Sequence, residues 1–244
     1  MAALLELTGV VAGYGAGDVL RGVDLSVPEH SVTCLIGPNG AGKSTVLRAV
    51  SGLLRPVRGR IVLRGEDIGG LPPRDRLRRG VAHVPQERSL FPAMTVWDNL
   101  LLGAHLIRDP KVVAERLERA VAAFPICKLR ARAHAGGLSG GEQKQVELAR
   151  TLVLDPALIL LDEPSIGLDP RSRRSVFDNV RALAQAGRTI LLVEQNARSG
   201  LAAADTGVVL EAGVVRLVAP AAELARDPAV ARLYLGRGRE RANE

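Results

Sequence analysis

Aromatic residues are scarce in this chain, where Phe, Trp and Tyr together make up 2% of 244 residues. So few rings leave little to stack on nucleic-acid bases. The formal charge of +7 is spread along the chain, with local arginine clusters at 74–79 and 171–174. We therefore expect no nucleic-acid partner. The 47% of hydrophobic residues must be mainly Ala, Val and Leu, which is typical of a buried parallel sheet.

Cysteines and long apolar runs are scarce as well. We interpret the two cysteines, Cys34 and Cys127, as small apolar fillers rather than a disulfide or a metal site. No apolar run reaches the ~18 residues that a membrane span requires. The first residues lack the basic flank and apolar core of an export signal. We therefore expect a soluble, intracellular chain.

A glycine-rich stretch fits the phosphate-binding pattern G-x-x-x-x-G-K-[ST]. It follows an apolar segment at 32–36 and precedes a helical pattern at 44–50, as the pattern requires. Its glycines let backbone N–H groups reach phosphate oxygens. Lys43 adds a charge for the β- and γ-phosphates, and the Ser44 hydroxyl is a ligand for Mg²⁺. The predicted nucleoside triphosphate site comprises Gly37, Pro38, Asn39, Gly40, Ala41, Gly42, Lys43, Ser44 and Thr45.

Two adjacent carboxylates, Asp162 and Glu163, follow a second apolar run at 157–161. Two acids at the end of a buried strand are costly unless metal or phosphate chemistry needs them. We predict that Asp162 holds Mg²⁺, directly or through its water, and that Glu163 orients the attacking water.

Two other residues each permit two interpretations. Gln86 follows a predicted strand at 81–85, so it either contacts metal or water at the ligand-binding edge of a sheet or caps a loop. Tyr14 lies between two glycines in a predicted loop at 13–15, where its ring either anchors the loop or faces a nucleotide base. From the residues alone both roles of Gln86 stay open, and loop anchoring is favoured for Tyr14.

Residues 138–143, Leu-Ser-Gly-Gly-Glu-Gln, predict the start of a helix that runs to about Leu154. Ser139 and Glu142 fit a capping box. Gly140 and Gly141 leave the helix start bare, where backbone N–H groups attract anions. An ordinary capped helix is the simpler interpretation. The alternative is that this helix start meets a phosphate held by another subunit.

The remaining patterns predict an α/β fold. Alternating or apolar runs predict strands at 4–7, 10–11, 23–27, 60–63, 189–193, 208–210 and 214–218. Helical periodicity covers 94–126 and breaks at Pro110, and residues 221–235 are helical in part. The helices interrupt the strand pattern, which indicates an α-helical lobe, at about 87–150, inserted into a sheet core.

Taken in order, residues 37–45, Gln86, 138–143, 158–164 and 167–169 resemble the ATP-binding subunit of ABC transporters over essentially the whole chain. The resemblance implies a P-loop NTPase (RecA-like) core with an antiparallel β lobe and an inserted α-helical lobe. It implies an ATPase domain over 1–236, a flexible tail at 237–244, and ATP and Mg²⁺ as cofactors.

The resemblance also implies roles for individual residues. Tyr14 is expected to stack on adenine, and Glu163 to be the catalytic carboxylate, assisted by Lys43. Mg²⁺ is expected to bind Ser44, Gln86 and Asp162, with Gln86 also contacting a permease. The remaining roles concern a head-to-tail dimer with a second ATPase subunit. In it Ser139 and Gly141, flanked by Gly140 and Glu142, clamp the γ-phosphate of ATP in the opposite subunit, and Asp169 lies at the seam.

Within that family, residues 91–100, 192–197 and 231–236 look like the shorter ATPase subunit of branched-chain amino-acid importers, a subclass that includes urea and amide importers. Such a subunit is expected at the cytoplasmic face of the cell membrane. There it forms a homo- or heterodimer on transmembrane permease subunits, which a solute-binding protein supplies.

The chain departs from the family at two places. Gln195 stands where most members have a histidine; an amide can donate to the γ-phosphate but carries no imidazolium charge. The short branched-chain subunits often share this glutamine. The second departure is Pro-Glu-His-Ser at 28–31, in place of a Gly-Glu turn.

Three rival functions remain in view. An ABC exporter ATPase is the nearest. A non-transport ABC ATPase acting on DNA or ribosomes is less well supported, because this chain has neither a long coiled-coil insert nor a second ATPase domain. A P-loop kinase or GTPase conflicts with residues 138–143.

Overall fold

The computed structural model describes residues 2–15, 17–87, 89–228 and 230. The strands, in chain order, are β1 (Ala3–Tyr14), β2 (Gly17–Pro28), β3 (Val32–Ile36), β4 (Arg58–Leu63), β5 (Glu66–Asp67), β6 (Val81–Val84), β7 (Leu158–Asp162), β8 (Thr189–Val193), β9 (Thr206–Glu211) and β10 (Val214–Pro220). The helices are α1 (Lys43–Ser51), α2 (Pro73–Arg78), α3 (Val96–Gly103), α4 (Pro110–Ala123), α5 (Ile126–Leu129), α6 (Gly140–Val153), α7 (Pro170–Gln185), α8 (Ala197–Ala203) and α9 (Ala221–Leu224), with a 3₁₀ turn at Ala135–Gly137.

The strands of the described chain form two sheets. The core sheet has the order β10-β9-β3-β8-β7-β6, and the smaller sheet has the order β2-β1-β4-β5. In the core sheet β3, β6, β7, β8 and β9 run parallel, and β10 returns antiparallel to β9 as the predicted hairpin. The pairs of the smaller sheet are antiparallel.

Both faces of the core sheet are buried, which explains its continuous apolar runs. In β7, Ile159 and Leu161 pack into one hydrophobic cluster together with residues of helices α3 to α8. Leu158 and Leu160 point the other way, into a cluster with α1 and the smaller sheet. A strand with apolar partners on both sides needs no polar alternation.

Because the central strands are parallel, their carboxyl ends meet at one edge of the sheet. The loop after β3 carries the glycine-rich stretch, and Gln86 follows β6. Asp162 ends β7, and Glu194 and Gln195 follow β8. The topology therefore delivers these polar residues to a shared edge.

The predicted elements and the observed ones differ at residues 13–15 and at four elements that the sequence did not predict. The sequence predicts a loop at 13–15, but β1 continues to Tyr14, which pairs with Gly17 of β2. The unpredicted elements are β5, α2, α7 and α8. The α/β class with a P-loop NTPase core and an antiparallel second sheet is confirmed, whereas the domain bounds 1–236 and 87–150 stay predictions. The expected tail at 237–244 lies outside the described residues.

Two further expectations concern single residues and long helices. Cys34 and Cys127 are both free and buried, as expected of apolar fillers. None of the helices that the described residues form has the length and apolar character to span a bilayer.

A buried arginine joins α1 to the segment before α2. Arg76 is 1% exposed, and its guanidinium donates hydrogen bonds to the carbonyls of Val50 at 2.9 Å, Gly69 at 2.8 Å and Leu71 at 2.9 Å, and to that of Ala49. Two of these carbonyls lie in the last turn of α1, where intrahelical partners are lacking. Arg76 therefore supplies hydrogen-bond donors to carbonyls at the end of α1, the helix that starts at the glycine-rich stretch.

We predict that Arg76→Ala lowers the free energy of unfolding by roughly 2–4 kcal/mol, because it leaves buried carbonyls without donors. The measurement is urea unfolding followed by circular dichroism. Arg74→Ala, an exposed arginine of the same helix, is the control and should change the free energy by less than about 0.5 kcal/mol. Equal losses in the two variants would contradict a specific role for Arg76.

Candidate active site

The glycine-rich stretch adopts a conformation that only glycine accommodates at two points. A side chain at Gly37 would place its Cβ 2.1 Å from the carbonyl oxygen of Leu210. Gly42 has a φ of +102°, in the left-handed region, and caps the start of α1. The loop therefore keeps its backbone N–H groups free of side-chain cover at the amino end of a helix, which is the arrangement that favours anions.

Lys43 is the first residue of α1 and points back at the loop. Its Nζ donates to the carbonyl oxygens of Gly37 at 2.9 Å and Pro38 at 3.1 Å. Burial lowers the pKa of this ammonium, and the charges of Glu163, Asp162 and Glu194 oppose that shift. Lys43 thus lies as a cation in a partly dry site, surrounded by acids.

A cavity of about 510 Å³ lies over this loop. Gln86, Glu163 and Gln195 reach it from the ends of the neighbouring strands. The other described residues that line it are Val19, Asn39, Gly40, Gly42, Lys43, Ser44, Thr45 and Ile166. The volume is within the range of small-molecule sites.

Asp162 contacts the loop directly. The Ser44 hydroxyl donates to Oδ1 of Asp162 at 2.9 Å. Burial raises the pKa of the Asp162 carboxyl, whereas that hydrogen bond and the charges of Arg48 and Lys43 lower it. Ser44 lines the cavity, whereas Asp162 is not among its described lining residues and reaches it through this hydrogen bond. The two oxygens form an adjacent pair of hard donors.

Glu163 is held in a strained backbone conformation beside Asp162. Its φ is +44°, which is unusual for a residue with a side chain. Its N–H donates to the Val193 carbonyl at 2.9 Å, which ties it to β8. Gln86 donates from Nε2 to Oε2 of Glu163 at 3.4 Å. Burial raises the pKa of the Glu163 carboxyl, Lys43 lowers it and Asp162 raises it further.

Tyr14 lies outside the lining of this cavity but contacts the helix that leaves it. Arg48 of α1 donates to the Tyr14 hydroxyl at 3.0 Å, and its guanidinium carbon is 5.9 Å from the centre of the ring. The ring is 48% exposed. Arg48 therefore holds the exposed face of the Tyr14 ring beside α1.

The 138–143 stretch lies apart from the cavity. Its capping box is present: Ser139 N donates to Glu142 Oε2 at 2.8 Å, and Glu142 N donates to Ser139 Oγ at 3.3 Å. The first of these bonds is the main cause of the lowered pKa of Glu142. Within the described residues, Ser139, Gly140, Gly141 and Glu142 do not line the cavity over the loop.

Asp169 is also outside the cavity, where it caps α7 by accepting from the N–H groups of Arg171 at 2.9 Å and Ser172 at 3.0 Å. Pro38 is exposed in the loop, and Ala41 is buried beneath it. Neither lines the cavity as the described residues form it.

The sequence argument missed Glu194, which is 2% exposed and accepts from Ser165 N at 3.2 Å. Burial is the first cause of its raised pKa. Its position at the end of β8 was the available signal, the same one that identified Asp162. Val19 and Ile166 were also missed, since single apolar residues give no such signal.

A parallel core sheet with a glycine-rich loop, a lysine and strand-end carboxylates at one edge defines a P-loop NTPase. Comparison with known proteins narrows this class. A family model described as ABC transporter matches residues 20–166. The chain is 37% identical over 233 residues to the high-affinity branched-chain amino acid transport ATP-binding protein BraG of Pseudomonas aeruginosa, covering 96% of this chain and 100% of that protein.

Two further similarities concern an export protein and a solved structure. The lipopolysaccharide export system ATP-binding protein LptB of Haemophilus influenzae is 34% identical, with 96% of this chain and 97% of that protein covered. A solved ATP-binding cassette of an ABC transporter, in its ADP conformation, superposes with a TM-score of 0.87 at 28% identity, over 97% of this chain and 100% of that one. This chain belongs to the ABC transporter family, and it is an ATP hydrolase of that family.

We predict that Asp162→Asn stabilises the nucleotide-free protein at high pH. Asparagine keeps an acceptor for Ser44 but removes a charge that burial disfavours. Since the pKa of the carboxyl is raised in the folded state, its charge costs stability above the ordinary aspartate pKa of about 4, and this cost vanishes as the pH falls towards that value.

The expected result is a higher unfolding temperature for Asp162→Asn at pH 8, by roughly 2–4 °C for each kcal/mol gained, and a smaller difference at about pH 4, the ordinary aspartate pKa. Thermal unfolding at the two pH values measures it. Asp178→Asn, on the exposed face of α7, serves as the control and should leave the unfolding temperature unchanged. A gain that is independent of pH would contradict the buried charge as its cause.

Proposed function

We propose that this chain is the ATP-hydrolysing subunit of a membrane importer, with branched-chain amino acids or related hydrophilic solutes such as urea or amides as its cargo class. The observation that carries the ATPase mechanism is the cavity where Lys43, Gln86, Glu163 and Gln195 meet. The importer class is supported by the end-to-end similarity to BraG and by residues 91–100 and 192–197. The third supporting stretch, 231–236, lies outside the described residues.

In this proposal the loop binds the phosphates of ATP. Residues Gly37 to Thr45 present backbone N–H groups at the start of α1, and Lys43 exchanges its two carbonyl contacts for phosphate oxygens. Tyr14, held by Arg48, offers its ring to the adenine.

The residues around Ser44 fit Mg²⁺. The Ser44 hydroxyl, the Asp162 carboxylate and the Gln86 amide are the oxygen donors that this ion takes. Among the described residues, no group of three or more His, Cys, Asp and Glu side chains is placed to hold a metal. That suits an ion that keeps waters and binds substrate phosphates rather than one held in a protein cage. When bound, Mg²⁺ neutralises charge on the phosphoryl oxygens.

Glu163 orients and deprotonates the attacking water in this mechanism. Burial, which raises its pKa, makes the carboxylate a better proton acceptor. Gln86 holds one carboxylate oxygen. Lys43 stabilises the charge that develops on the transferred phosphoryl group. Gln195, exposed at the rim of the cavity, donates its amide to the γ-phosphate.

A second ATPase subunit, identical or not, completes the site. Ser139 is exposed at the start of α6 and lies apart from the cavity of its own chain. In a head-to-tail dimer this helix start, with Gly140, Gly141 and Glu142, faces the γ-phosphate bound by the other subunit. Asp169, also exposed, lies at the seam between them.

The dimer sits on transmembrane permease subunits at the cytoplasmic face of the membrane, and a solute-binding protein acts indirectly. A groove of about 510 Å³ beside the Gln86 loop, lined by Leu77, His83, Phe91, Leu102 and Arg150 among others, supports permease docking there. Phe91 is 54% exposed. Burial lowers the pKa of His83 to about 4, so the His83 side chain adds no charge to the groove at neutral pH.

We predict that Glu163→Gln retains ATP binding, loses at least about 100-fold in turnover and accumulates as a closed dimer with ATP. The amide keeps the size of the side chain but cannot accept the proton of water. Turnover is measured by phosphate release, and association by light scattering with and without ATP.

Glu87→Gln, at an exposed glutamate next to Gln86, is the matched control and should hydrolyse ATP at the parent rate. Unchanged turnover in Glu163→Gln would remove Glu163 from the catalytic role. Loss of ATP binding in that variant would also count against the proposed mechanism.

An exporter is the second candidate, and the similarity to LptB favours it. Affinity purification of the chain from its native membranes separates the two. We expect two dissimilar permease subunits and a second ATPase subunit in the purified complex. Recovery of copies of this chain with only an export permease would overturn the importer proposal and leave the ATPase mechanism standing.

A further inference from the structure

A second polar cavity, of about 410 Å³, lies at the opposite edge of the core sheet. Among the residues that line it, His30, Gly80, Ala157 and Thr189 stand at or just before the starts of β3, β6, β7 and β8. Parallel strands bring their amino ends together as surely as their carboxyl ends. This cavity is therefore separate from the nucleotide site.

Arginines dominate the charge of this cavity. The carboxylates among its described lining residues are Glu29 and Asp155. Its arginines come from four separate places, which are the β4–β5 turn, the end of α2, α4 and the residue before β8: Arg64, Arg78, Arg79, Arg116 and Arg188. A cavity whose lining carries five guanidinium groups and two carboxylates has an excess of positive charge, which favours anions.

One group of these arginines shares a single carboxylate. Arg116 lies 3.2 Å from Asp155, and Arg188 contacts the other oxygen of the same side chain. The Nε of Arg116 is buried and has no hydrogen-bond partner in the described part of the chain. Burial, together with the charges of Arg119 and Arg188, lowers the pKa of Arg116. Asp155 therefore neutralises one of two guanidinium charges.

The other group is only loosely held. Arg78 pairs with Asp75 and Arg79 with Glu66, both at 3.4 Å and both solvent-exposed. Exposed pairs of this kind contribute little. Arg64 has no ion pair with any residue that the structure describes. These guanidiniums are free to turn towards a stronger acceptor.

We propose that this cavity binds a small soluble anion with two phosphate groups, of the inorganic diphosphate class. Each arginine group can take one phosphate, and planar guanidinium forks match phosphate oxygens. The volume is that of a small-molecule site. Arg116 lies on α4, Arg64 follows β4 of the smaller sheet, and Arg188 precedes β8 of the core sheet. A bound diphosphate therefore connects α4 and the smaller sheet to the core sheet, at the edge opposite the ATP site.

The test is calorimetric titration of the full chain with pyrophosphate while ADP saturates the nucleotide site. We expect binding at one further site. Arg64→Glu and Arg78→Glu should each weaken that binding by at least about tenfold. Arg58→Glu, which reverses the charge of an exposed arginine on β4 outside the cavity, is the matched control and should leave it unchanged.

Three outcomes overturn the proposal: no binding to the ADP-saturated chain, an equal loss in Arg58→Glu, or monophosphate binding as tightly as pyrophosphate. Unfolding temperatures check that the variants are folded. Should Arg78→Glu fail to fold because it faces Asp75, Arg64→Glu decides alone, since its side chain is exposed and makes no ion pair in the described chain.

Discussion

The parallel pairing of β3, β6, β7 and β8 is the constraint on which the rest of the molecule depends. Parallel strands must be covered on both faces, which requires helices on one side and, here, α1 with a second sheet on the other. The same pairing leaves only the two ends of the strands open to water. Chemistry that needs both solvent and a rigid frame is therefore confined to the edges of the sheet.

At the carboxyl edge, this frame holds one cation and three carboxylates together in a partly buried site. Lys43, Asp162, Glu163 and Glu194 are all at least partly buried. Burial acts against the charge of each, and the lysine offsets only part of the cost of the acids. Such a group stores unfavourable energy in the absence of substrate, as active sites commonly do. A bound polyphosphate and its cation would change both the burial and the charge interactions of these four residues.

The sequence predicted most of what backbone and burial patterns determine, and little of what long side chains do. Apolar runs located the core strands, and the rule on parallel strand ends offered Gln86 a place at the ligand-binding edge, with the capping of a loop as the alternative. Arg76 could not be found this way, since it lies in a basic segment that reads as solvent-exposed, and only the fold surrounds it with carbonyls. Helix α7 was overlooked although Asp169 and Pro170 form a typical helix start. Tyr14 was placed in a loop because glycines flank it, whereas cross-strand pairing to Gly17 extends the strand.

Helix α1 is electrostatically asymmetric over a cycle of turnover. The guanidinium of Arg76 meets the carbonyls of Ala49 and Val50 in its last turn and is part of the fold. A helix dipole is balanced by a cation at its carboxyl end and an anion at its amino end. At one end the counter-charge is therefore permanent. At the other end, under the proposed binding of ATP phosphates at the loop, the counter-charge arrives and leaves with each nucleotide, so that the dipole of α1 is balanced at both ends only while nucleotide is bound.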